Sequence, residues 1–187
     1  MFTRFKHTAV AKAEILGQGL FACSCEVVAV LFDRLETFGE GAIKLKSNML
    51  STQLLIEFMV FFMHLVDRSA FSILGPEKRR VFADRYMIVI VKAVIAELSK
   101  EVSADDFCNS LRSTYNDRQL IYSRYRELIP VNDEPLKGTL YWEFRKILAE
   151  FLDHSNPATV VYLNCLVADF AVLYMVNAAK VEAVLMN

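Results

Sequence analysis

The sequence predicts an all-α protein: a single-domain bundle of six or seven helices around a long, largely buried central helix at about 47–74. Three observations carry that prediction. Apolar residues recur three and four positions apart along nearly the whole chain, the period of a helix that buries one face. Strand-like alternation of apolar and polar residues survives nowhere. Glycine and proline number only 6 and 4 in 187 residues, too few for a turn-rich β protein. That length suits one domain with a substantial core, so 1–187 reads as a single unit without repeats or low-complexity segments.

In chain order, about 3–36 reads as helix, either continuous or divided by a kink or split near Gly17 and Gly19, because each interior glycine costs about 1 kcal/mol. Its second part buries Val27, Val28, Leu31 and Leu35, and Gly39-Glu40-Gly41 ends it. The central helix follows and stops at Gly75-Pro76, where glycine supplies a left-handed cap and proline suits the first turn of the next helix. That helix, to about 100, shows Phe82, Tyr86, Val89, Ile90 and Val94 at helical spacing. Ser103 caps another, running to about 128, with Asp105 and Asp106 at its positive dipole end. A flexible loop at about 130–138 precedes a short amphipathic helix at about 139–153. Asn156-Pro157 opens the last helix, to about 185 and almost wholly apolar before Asn177.

Charge and cysteine usage narrow the function classes. A formal net charge of −1 offers no basic face for nucleic acid, and no polybasic segment addresses an anionic membrane. Near-neutrality with 55% hydrophobic residues is poor colloidal design for a monomer, which points to a homo-oligomer. Cys23, Cys25, Cys108 and Cys165 lack metal or redox spacing and read as small buried hydrophobes in a reducing cytoplasm. Lys12 and Glu14 interrupt an N-terminal signal-like run, and Asn164 and Asp169 interrupt the apolar run at 160–176, so no membrane span is expected. Between Arg112 and Arg126, basic residues alternate with tyrosines, but Asp117 and Glu127 dilute the charge, leaving an ordinary helix face.

One stretch holds the candidate chemistry. Residues 54–71 are the most apolar and aromatic of the chain, yet Glu57, His64, Asp67 and Arg68 fall on one narrow helical stripe, with Gln53 and Lys46 roughly in line. His64 and Asp67 are one turn apart, within reach of each other. Such a stripe is either a solvated face or a buried polar network. In the second case it needs partners, and Arg118, Asp169, Asp84 and Asn164 are the candidates, with Arg118 pairing to Asp169, Asp84 or Glu57. The chain has no Glu-x-x-His pair of the kind that builds metal sites in helical bundles, and neither His7 nor His154 complements His64. Glycine-rich phosphate loops and nucleophile elbows are absent too. No metal or cofactor is therefore expected.

Three functional expectations result. The first is a non-enzymatic cytoplasmic protein acting by protein–protein association, self-association included. The second is a small apolar ligand held between helices beside His64 and Arg118, in a pocket lined by Phe58, Phe61, Phe62 and Met63, with Glu57, Asp67, Arg68 and Asp169 as the remaining candidate contacts. The third is a metal-dependent enzyme using Glu57, His64 and Asp67.

Overall fold

The computed structural model of the chain describes residues 2–37, 48–98, 103–125, 137–151 and 157–186. These form α1 (Phe2–Thr37), α2 (Asn48–Leu98), α3 (Ala104–Tyr122), α4 (Leu140–Phe151) and α5 (Pro157–Met186), with no strand among the described residues. Within α2 the backbone leaves helical geometry at Gly75, with φ 72° and ψ 171°, a conformation that only glycine adopts without strain. The element is thus two helical arms, 48–74 and 76–98, and the described residues hold six helices when the arms are counted separately. The bundle is all-α, as the sequence predicts.

The bend at Gly75-Pro76 folds α2 into a hairpin. In a straight helix, residues twelve apart lie about 18 Å from each other. Here Arg79 reaches back over twelve positions to grip the carboxylate of Asp67. The second arm therefore returns alongside the first. The first arm is the centre of the bundle: every side chain from Leu54 to Phe61 is buried, as are those from Met63 to Asp67. An aromatic nest locks it to α3 and α4. Phe61 stacks on Phe144 with ring centroids 4.0 Å apart and meets Tyr122 and Tyr141 edge-on, while Phe58 meets Phe144 edge-on at 5.1 Å. Such aromatic pairs are each worth about 0.5–1.5 kcal/mol beyond the area they bury.

α1 runs unbroken through Gly17 and Gly19, so of the two alternatives the continuous helix holds. The two glycines have different meanings. A Cβ at Gly17 would lie 2.8 Å from Val89 Cγ1, so the missing side chain lets α1 approach the second arm of α2; at Gly19 nothing lies within 4 Å. Close packing, not a kink, accounts for Gly17. By length and composition alone, Ala9–Leu31 within α1 is apolar enough to cross a membrane. Inside that span Ala13, Leu20, Phe21, Val27, Val28 and Leu31 are buried in the bundle core.

The cysteines are not the buried hydrophobes expected: Cys23 and Cys165 are exposed, Cys25 and Cys108 half-buried. One helix boundary also differs from expectation. α3 ends at Tyr122 instead of about 128, because the amides of Arg124 and Tyr125 turn back onto the carbonyls of Ile121 and Tyr122, tightening the last turn. α4 is capped by the buried Thr139, whose hydroxyl accepts from the Trp142 amide at 3.3 Å. Most of the predicted loop at 130–138 lies outside the described residues, as do Lys46, Gly39-Glu40-Gly41, His154 and Asn156.

Candidate functional site

Three residues of the first arm's polar stripe are buried, while Arg68 is half-buried and Gln53 exposed. Glu57, His64 and Asp67 are respectively 4%, 4% and 8% exposed, so the solvated-face alternative falls and a buried network stands in its place. Glu57 lies at the most apolar level of the arm, beside Phe58 and Phe61, where an unpaired carboxylate would be costly. Arg118 answers it from α3. Nε donates to both carboxylate oxygens, at 3.2 and 2.9 Å, and Nη2 donates to Oε1 at 2.6 Å. The pairing raises Arg118 above its ordinary value, against the opposing effect of burial. Of the three acids considered for Arg118, the structure thus selects Glu57. Asp84 and Asn164 are exposed, and Asp169 lies in α5 with its side chain outside the described residues.

His64 sits two turns further along. Its expected neighbour Asp67 is engaged elsewhere, and Nδ1 instead donates to Gln119 Oε1 at 2.9 Å. Burial pushes the imidazole down to about 4; the bond to Gln119 and the Asp67 carboxylate oppose this, and the Arg68 and Arg79 cations reinforce it. The ring is therefore neutral at pH 7. With its hydrogen on Nδ1, Nε2 carries a lone pair. Among the described residues that buried nitrogen has no hydrogen-bond partner.

The next turn of the arm ties the hairpin together. Asp67 receives Arg79 Nε at 2.7 Å and Arg79 Nη2 through its second oxygen. Tyr115 lies close to this pair, and burial, with the Asp67 carboxylate, pushes its hydroxyl up to about 12. Arg68 donates through Nη1 to the backbone carbonyl of Tyr125 at 2.6 Å, just past the end of α3. The Tyr125 hydroxyl in turn donates to Glu143 at 2.7 Å, and Glu143 pairs with Lys146 at 2.5 Å. The end of α3 is thereby fastened to both α2 and α4.

These groups border an open cleft of about 550 Å³, where the hairpin meets the end of α3. His64, Asp67, Arg68 and Arg79 come from α2, with Phe71 beside them; Gln119, Ser123 and Tyr125 close the other side. Phe71 is 57% exposed, an apolar ring at the edge of an otherwise polar hollow. A second cleft of about 450 Å³ lies across Asp67, bordered by Met63, Tyr86, Met87 and Tyr115 among others, so the Asp67 side chain is a wall common to both.

Of the candidate contacts, His64, Asp67 and Arg68 line the first cleft. Glu57, Phe61 and Arg118 do not: the first and last are consumed by each other, and Phe61 belongs to the aromatic nest. Phe58 is likewise wholly buried against Phe144. Arg79, Gln119, Ser123, Tyr125 and Phe71 were not singled out as contacts by the sequence. A fold-back at Gly75-Pro76 was the available signal for Arg79, since it returns the start of the second arm to the level of Asp67. No group of three His, Cys, Asp or Glu side chains that could hold a metal ion occurs among the described residues. Glu57 and Asp67 each face an arginine, and so do not converge on a shared cation. No protein-family model, curated protein or solved structure matches this chain.

Proposed function

We propose that this chain is a small-molecule-binding helical protein whose site is the cleft between the α2 hairpin and the end of α3. The carrying observation is a buried, unpartnered nitrogen, His64 Nε2, on a residue that lines a hollow of about 550 Å³. Buried polar atoms in native proteins nearly always have partners, and exceptions concentrate where a ligand or water completes them. The volume falls in the range of about 300–1,000 Å³ typical of small-molecule sites. This reading keeps the expectation of a ligand beside His64 but replaces an apolar inter-helix pocket with a polar cleft.

Thermal unfolding with a chemically diverse set of small molecules tests it, backed by native mass spectrometry of freshly purified protein. Ser123→Trp is the control, since that exposed lining residue can fill the cleft without entering the core. Compounds that stabilise the protein should lose their effect in S123W. If stabilisation persists undiminished in that variant, or no compound stabilises either form, the cleft is not the site.

A second reading, association between copies, is favoured by α1, which leaves Ile15 and Val30 59% and 42% exposed on an already apolar helix. Sedimentation across a hundredfold concentration range tests it. A single monomeric species throughout would end it.

A further inference from the structure

We infer that the ligand of this cleft is an uncharged hydroxyl compound with an apolar body, an alcohol or a phenol, whose O–H donates to His64 Nε2 while its body lies against Phe71; the inference rests on the binding role proposed above. The direction of the hydrogen bond follows from the neighbours of the imidazole. Gln119 Oε1 can only accept, so the hydrogen of His64 sits on Nδ1, 2.9 Å away. The same Gln119 side chain is also hydrogen-bonded to Tyr115, which holds it in place. Nε2 is left with a lone pair, on a ring that is 4% exposed and borders the cleft. The Tyr122 ring packs beside it with centroids 5.2 Å apart, but its hydroxyl does not reach Nε2. Asp67 is an acceptor and already holds Arg79. What the nitrogen lacks is a donor.

That requirement sorts the ligand classes. A carboxylate or a phosphate brings lone pairs to a lone pair, which repels. An ammonium can donate, but the burial that drives the proton off the imidazole itself penalises any other cation at this point. A hydroxyl supplies one hydrogen and no charge. The bond it makes there is sheltered from water and stronger than one at the surface. Phe71, 57% exposed at the edge of the same cleft, offers a ring face to the rest of the molecule. A polyol, polar throughout, would leave that ring without a role.

Isothermal titration with pairs of matched shape tests the inference: phenol against toluene, benzyl alcohol against ethylbenzene and cyclohexanol against methylcyclohexane, with glycerol, benzoate and benzylammonium beside them. Each hydroxyl compound should bind at least tenfold more tightly than its hydrocarbon. Glycerol and the two ions should bind more weakly than benzyl alcohol. His64→Phe keeps a ring but removes the acceptor, and should erase the preference by weakening the hydroxyl compounds alone. Independently of that variant, nitrogen NMR of the wild type carrying isotope-labelled histidine reads the bond directly. The unprotonated Nε2 signal of His64 should move towards the protonated position with phenol and not with toluene. Hydrocarbons that match their hydroxyl partners, an ion that outcompetes them, or an Nε2 that carries the hydrogen or ignores phenol would overturn the ligand class. The binding role itself would survive if a compound of another class stabilised the wild type and not S123W. Absence of binding by every alcohol and phenol overturns the inference.

Discussion

Breaking the Glu57–Arg118 pair should be far costlier than deleting it whole. The carboxylate side chain is 5% exposed and the guanidinium 19%, and three N–H···O contacts join them. Arg118→Met leaves a buried, unpaired carboxylate, so the loss should approach about 3–5 kcal/mol. Glu57→Leu leaves the more exposed guanidinium without its acceptor, and about 1–3 kcal/mol is expected. The double variant Glu57→Leu with Arg118→Met places two apolar side chains in contact and should fall within about 2 kcal/mol of the parent. Urea unfolding monitored by circular dichroism, at constant denaturant dependence, gives the three numbers and their coupling. Additive losses would refute the claim that the two charges are buried against each other.

Further outcomes follow from the same geometry. Because His64 is lowered from 6.5 to about 4, the unfolded chain binds the extra proton first as pH falls; its contribution is complete above about 6.5 and is lost through that window down to about 4. The full span is worth roughly 3 kcal/mol, and His64→Gln should flatten the stability profile between pH 6.5 and 4 without altering its slope above 7; an unchanged profile would contradict a neutral buried imidazole. Gly17→Ala should lower the unfolding free energy by about 1–3 kcal/mol, since the added methyl meets the stiff side chain of Val89. Gly19→Ala, with open space around it, should raise stability by about 0.4–1 kcal/mol, and matched effects at both positions would show that α1 does not lie on the second arm as described. Gly75→Ala should cost about 2 kcal/mol through backbone strain alone, visible as a lower thermal midpoint without loss of helical signal.

The helical class and the buried central arm were legible because both rest on periodicity and apolar content, which are local properties. Gly75-Pro76 also announced its bend in the sequence. What the bend does was less readable: positions equidistant from a fold-back meet, yet nothing local says that Asp67 prefers Arg79 to the histidine one turn away. The pairing of Glu57 with Arg118 was one of three options, and only the crossing of α2 and α3 decides among them. Gly17 shows the opposite difficulty. Its propensity cost left a break open, while its actual role depends on a valine seventy-two positions later. The cleft was least legible, because Gln119, Ser123 and Tyr125 gain their meaning from where α3 happens to stop.

The clasp between Asp67 and Arg79 has a mechanical consequence. It joins the two arms of α2 close to their bend. Separating the arms there requires the buried Asp67 carboxylate to give up the guanidinium of Arg79. Amide protons near Asp67 should therefore be among the slowest in α2 to exchange with deuterated solvent. The cleft thus lies against a riveted joint of the scaffold.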